Sequence, residues 1–168
     1  MYHMRQFFVF AFLLFLYNFS VGQKKCALNS LSKESKTELM GFWKEFQESV
    51  KLRDTSKIIS LCDFPFSVSA EILSAKRDIG EYFKLYSTNI MQYSILLFFE
   101  KQFESSLSLC NYPTECLILH GNLNKKHRTC VYEFFYIAQD KDGKNQERSF
   151  QITQVDSSYK LTSNWIRY

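Results

Sequence analysis

The sequence predicts an α+β fold: three to four N-terminal helices packed on a curved antiparallel sheet of three to four C-terminal strands. Three observations predict it. Apolar residues recur at helical spacing early in the chain, at Leu39, Phe42, Trp43, Phe46 and Val50. Between Thr129 and Gln139 the period falls to two, with Cys130, Tyr132, Phe134 and Tyr136 on one face and Val131, Glu133, Phe135 and Ile137 on the other. The 168 residues, less a leader of 22, leave 146, which suits one domain with a sizeable core. Helices first and a meander last is α+β order, and the helices must cover one sheet face to bury their aromatic stripes.

Residues 1–22 read as a secretory signal peptide. Arg5 supplies the positive charge, Phe7 to Leu16 is an uncharged apolar run, and Ser20-Val21-Gly22 places small residues before a cut at Gln23. The run is too short for a membrane span, which needs about 20 residues. The expectation is therefore a secreted or periplasmic protein with no membrane span after signal cleavage. Residues 23–31 are a polar lead-in, and residues 32–168 form the single domain.

Ser32 or Ser35 can cap a first helix running to about Arg53. Asp54-Thr55-Ser56 breaks it and can cap a short second helix with Ile58, Ile59, Leu61 and Cys62, ended by Phe64-Pro65-Phe66. An extended stretch, Ser67 to Ala75, leads to a third helix from about Asp78, with Ile79, Tyr82, Phe83 and Tyr86 on one side. Residues 90–104 fit a buried helix end or a strand, and helix is the reading taken. Glu115–His120 is a short strand candidate. Asp140-Lys-Asp-Gly-Lys144 is a hairpin turn, because Asp-Gly supplies positive φ angles. Phe150–Val155 and Tyr159–Arg167 complete the sheet. Phe42, Trp43, Phe46, Ile58, Phe66, Phe83, Phe134, Phe135 and Trp165 are expected to share one core.

The formal charge of +4 becomes +3 once Arg5 is removed, too little and too dispersed for a nucleic-acid partner. Lys125-Lys126-His127-Arg128 is the densest basic run and reads as a solvated turn. Export permits disulfides among the five cysteines, but an odd number leaves at least one unpaired within the chain. Cys110 and Cys116, flanking Asn111-Tyr112-Pro113, are the favoured pair, with Cys116–Cys130 the runner-up. Cys62 reads as an inert buried thiol. No pair has C-x-x-C spacing, and there is no phosphate loop or dinucleotide fingerprint, so no metal and no cofactor are expected.

A first helix with Phe42-Trp43-x-x-Phe46, a short helix after Arg53-Asp54, a Phe64-Pro65-Phe66 break, an aromatic third helix and a meander ending in Trp165 together resemble the nuclear-transport-factor-2-like superfamily. More narrowly, they resemble small exported bacterial proteins of that cone-shaped, cystatin-like fold. The resemblance spans about residues 36–168 and rests on element order and aromatic spacing. It implies a sheet curled around the helices, often with a pocket at the open end. It does not imply an activity, since the superfamily holds isomerases, dehydratases, epoxide hydrolases and many non-enzymatic binding domains. The Asp–Tyr or Asp–His constellations of its enzymes do not map onto this chain.

The expected function is an exported, non-catalytic binding or accessory domain for a small apolar ligand or a partner protein, with a homodimer as one form. Its pocket would be lined by Tyr82, Tyr86, Tyr132, Tyr136 and Trp165: two tyrosine pairs four apart, one on a helix and one on a strand. The alternative is a small acid–base enzyme of isomerase or dehydratase type, using an inward carboxylate such as Glu133. Whether Glu133 points inward or to solvent is open at this stage, because both faces of its strand are apolar. His120 and His127 read as loop residues.

Overall fold

The computed structural model describes residues 26–73, 81–120, 129–140 and 142–167. The expected signal peptide and its cut, the start of the expected third helix and the basic run 125–128 lie outside these residues.

Helix α1 spans Lys33–Lys51, and Ser32 caps it by accepting from the Ser35 backbone N–H at 3.1 Å. Its buried stripe is Leu39, Phe42, Trp43, Phe46 and Val50. Helix α2, Thr55–Ser60, is capped by Asp54, whose carboxylate accepts from the Lys57 N–H at 2.9 Å. Strand β1 follows over Cys62–Ser69, then strand β2 over Tyr82–Leu85. Helices α3 (Ser94–Phe98), α4 (Lys101–Leu109) and α5 (Pro113–Cys116) lead to strand β3, Leu117–Leu119. Strands β4 (Val131–Gln139), β5 (Asn145–Val155) and β6 (Ser158–Ile166) are the long meander. The Asp140–Lys144 turn forms as expected, with Gly143 at φ 77°.

The fold is α+β, but the sheet is larger and differently built than the sequence predicts. It has six strands in the order β2-β1-β6-β5-β4-β3, and it is mixed, because β1 runs parallel to β6. The two extra strands are β1, which joins the segment read as a helix end to the start of the stretch read as extended from Ser67, and β2, which falls in the expected third helix. Tyr82–Leu85 pairs antiparallel with β1 and is no third helix. In four residues, apolar positions two and three apart serve strand and helix equally, so periodicity could not separate them. Phe64-Pro65-Phe66 lies inside β1 and does not end a helix. Pro65 is tolerated there because the β1–β6 register breaks between Cys62 and Ser67 and the β1–β2 pairing begins only at Phe66.

The core lies between the helices and one sheet face. Trp43 meets Phe134 edge-on at 5.3 Å, and Phe103 packs on Phe150 at 4.9 Å and on Tyr136 at 5.0 Å. Phe42, Phe46, Ile58 and Phe66 join this core, whereas Phe83 is half-buried on β2. Phe135 and Trp165 do not join it; they stand on the opposite sheet face. Disulfides join Cys26 to Cys130 and Cys110 to Cys116. Cys116 is thus unavailable to Cys130, and the runner-up pairing does not form. Cys62 is free and buried, the first residue of β1 and not part of a helix stripe. Burial pushes its thiol pKa up, away from the reactive thiolate. Among the described residues no helix is long and apolar enough to cross a membrane.

Candidate functional site

Three of the expected pocket residues follow from strand parity. Phe134 touches the helices, so its neighbours in alternation, Tyr132 and Tyr136, are inward and Glu133, Phe135 and Ile137 are outward. Strand β6 carries a bulge. Gln151 pairs with Ser163 and Ile152 with Leu161, so Thr162 is the extra residue. One extra residue inverts the alternation beyond it. Leu161 is inward, Asn164 is also inward, and Trp165 faces out.

The five aromatic residues expected to line one pocket therefore do not meet. Tyr132 and Tyr136 are buried on the inner face. Tyr82 and Trp165 meet edge-on at 5.7 Å on the outer face, Tyr82 being 53% exposed. Tyr86 is exposed in the turn after β2, where its backbone N–H donates to Asn89. The sheet itself separates the two pairs.

The outer face carries two cross-strand rows. One is polar. Glu133, only 8% exposed, accepts from the Gln151 amide at 2.9 Å, and the Gln151 carbonyl oxygen accepts from the Ser163 hydroxyl at 2.9 Å. His120, at the end of β3, brings Nδ1 to 3.1 Å from the Glu133 carboxylate. Glu133 is thus buried but not inward: it is enclosed among polar partners on the face away from the helices. The inward carboxylate of the enzyme reading is corrected on this point. The other row is aromatic, running from Phe135 through Ser149 to Trp165 and, across β1, from Ser69 to Tyr82. The Arg167 guanidinium lies 4.7 Å from the Phe135 ring centre. Ile137, 50% exposed, extends the row, and the buried Trp165 Nε1–H has no acceptor among the described residues.

The inner face is mostly apolar, with Gln154 donating to Glu38 of α1 at one end and a polar group at the end nearest the β4–β5 hairpin. There Tyr136, Arg148 and Ile166 stand opposite one another on three strands. Asn164 donates to the Tyr136 hydroxyl oxygen at 3.1 Å. Burial pushes the Tyr136 phenol up to about 12, with Asn164 and Arg148 pulling the other way. Sequence reading missed Arg148, Gln151, Ser163 and Asn164. The first two were legible, since Arg148 shares the parity of Phe150 and Ile152, and Gln151 that of the outward residues. The last two were hidden by the bulge.

A groove of about 750 Å³ runs between α1 and α4, bridged by an Arg53–Glu104 ion pair at 3.2 Å. Its walls carry exposed side chains such as Lys44, Lys51 and Ser108. No group of three or more His, Cys, Asp or Glu residues among the described ones could hold a metal ion. No protein-family model matches this chain, and no curated protein matches it.

Proposed function

We propose that this is an exported, disulfide-stapled binding domain that engages a protein partner through the outer face of its sheet. The observation that carries the reading is the row Ile137, Phe135, Trp165 and Tyr82, with Arg167 laid over Phe135. Trp, Tyr and Arg are the residues that dominate binding energy at protein interfaces, and a polar rim around an aromatic centre is the usual anatomy. Here the Glu133–Gln151–Ser163 row and Lys84 flank that centre. The leader read in residues 1–22 supports secretion or a periplasmic location, as do four of five cysteines held in two disulfides, which persist in oxidising compartments. Helices packed on one face of a mixed sheet that ends in a long meander support the likeness to the nuclear-transport-factor-2-like superfamily.

The first partner to test is a second copy. Sedimentation of the mature protein should show a dimer that Ile137→Glu and Trp165→Ala convert to a folded monomer. If the mature protein sediments as a monomer, a photo-crosslinker at position 137 should give one discrete adduct in the producing cells. The same crosslinker at Leu52, exposed on the helical side, should give none. A monomer with no adduct, or association unchanged by Ile137→Glu, rejects the reading.

A second reading rests on the His120–Glu133 contact. A carboxylate that holds imidazole Nδ1 leaves Nε2 free to exchange a proton with a bound substrate. This dyad is what supports an acid–base enzyme here, and its site would lie on the outer face.

A further inference from the structure

Arg148 is an inward residue of β5, flanked along the strand by Phe150, and is only 7% exposed. Its Nε–H donates to the Gln146 side-chain oxygen at 2.9 Å and its Nη2 to the Gln139 carbonyl at 3.3 Å. Both acceptors are neutral. No carboxylate lies within ion-pair distance of the guanidinium among the described residues. Glu100 is near enough to act electrostatically on Tyr136, but its two oxygens already cap α4, accepting from Gln102 N–H at 3.4 Å and Phe103 N–H at 3.2 Å. A guanidinium has five N–H donors and a fixed positive charge. The Tyr136 hydroxyl is a third neutral partner, and burying the guanidinium among neutral groups alone is costly, because desolvation is not repaid by a counter-charge.

An inward, uncompensated arginine is a reason to look for the anion that completes it. The charge is single, so a monoanion balances it. The planar fork matches a carboxylate in bidentate geometry. The neighbouring packing is aromatic and buried: the Tyr136 ring lies stacked at 5.9 Å on Phe150 and edge-on to Phe103. The Tyr136 hydroxyl is already engaged: its oxygen accepts from the Asn164 amide at 3.1 Å and it donates to the Asn164 side-chain oxygen at 3.5 Å.

We propose that Arg148 is the head-group clamp of a binding site for a small organic monocarboxylate with an apolar body, at the hairpin end of the inner sheet face. This site is independent of the outer-face reading, and either can fail alone.

The test uses the mature protein in sodium chloride, butyrate, benzoate or phosphate at equal ionic strength. Butyrate or benzoate should raise the melting temperature in a saturable way and shift the Arg148 Nε–H resonance; phosphate and chloride should do neither. Arg148→Met should abolish that dependence while melting in chloride no lower than wild type, since an uncompensated buried charge is gone. Arg148→Lys keeps the charge but loses the fork, and should weaken benzoate binding at least about tenfold. Three results overturn the proposal: no carboxylate response in the wild type; a response that persists in Arg148→Met; or phosphate acting as strongly as butyrate. An Arg148→Met variant that melts lower than wild type in chloride and shows no ligand effect would make Arg148 a structural residue.

Discussion

The Tyr132 hydroxyl donates to the backbone carbonyl of Cys26 at 3.1 Å, and Cys26 is itself joined through sulfur to Cys130, two residues before Tyr132. The start of the described chain is thereby pinned twice to the beginning of β4, once through Cys130 just before it and once through Tyr132 within it. The two bonds differ in kind. The hydrogen bond holds one carbonyl, whereas the disulfide closes a sequence separation of 104 residues. In the chain-entropy account a loop of that size restricts the unfolded state by about 4–5 kcal/mol. Replacing Cys26 and Cys130 by Ala should therefore lower the urea midpoint strongly while leaving the far-ultraviolet circular dichroism of the folded protein unchanged. The short Cys110–Cys116 loop should contribute less, and a side-by-side denaturation series checks the order.

A second pair of contacts fixes α4 against α1. The Trp43 indole N–H donates to the Cys110 carbonyl at 3.0 Å, and the Gln47 amide donates to the same oxygen at 2.8 Å and to the Leu107 carbonyl at 2.7 Å. One oxygen with two donors makes the two side chains redundant. Trp43→Phe removes one donor and leaves the carbonyl satisfied, so its hydrogen-bond part should cost only about 1 kcal/mol. In Trp43→Phe with Gln47→Leu the carbonyl loses both donors. The double variant should exceed the sum of the singles by about 1 kcal/mol, read from a double-mutant cycle in urea.

Phe46 contacts the rings of Phe42, Trp43, Phe103 and Phe150 and is fully buried. It links α1, α4 and β5, so no single element can relax into the space it would leave. Phe46→Ala should cost about 3–5 kcal/mol, a large share of the ~5–15 kcal/mol typical of such a domain. A melting curve close to wild type would show that the core closes over the gap.

These same residues show what the sequence makes legible. Leu39, Phe42, Trp43, Phe46 and Val50 repeat over about three turns, and a pattern that long has one interpretation. Thr129–Gln139 alternates over a full strand and is equally plain. Tyr82–Leu85 has four residues, too few for a period, and became a strand because β1 offered it a partner. Trp165 was misplaced for a different reason. Counting in twos from Tyr159 and Leu161 puts it inward, and only the bulge at Thr162, a property of the β5–β6 register, turns it out. The expected pocket failed with these two errors, since it needed Tyr82 on a helix and Trp165 on the inner face. Glu133 illustrates the remaining limit. Its parity was correct, but which parity faces the helices is decided by tertiary packing, here by Trp43 and Phe103 against Phe134.

The inner-face tyrosines set how the fold responds to alkali. Burial pushes the Tyr136 and Tyr159 phenols up to about 12 from an ordinary 10, and Tyr132 is displaced in the same direction. Each phenol is therefore neutral in the folded protein over a range in which the unfolded chain ionises. Between pH 10 and 12 the folded state holds more protons than the unfolded state, so stability falls as pH rises. Their contribution is fully present below pH 10 and is lost through the folded pKa. Each fully differential phenol adds a slope of about 1.4 kcal/mol per pH unit in that window. Urea denaturation from pH 8 to 11.5 should be flat at first and then fall steeply. Tyr159 is the cleaner position to substitute, since its ring packs on Phe42 and Tyr132 while no hydrogen bond from its hydroxyl occurs among the described residues. Tyr159→Phe should keep the neutral-pH stability within about 0.5 kcal/mol and reduce the alkaline slope by one phenol's share. An unchanged slope in that variant would mean that the Tyr159 hydroxyl reaches solvent and ionises in the folded state as it does in the unfolded one.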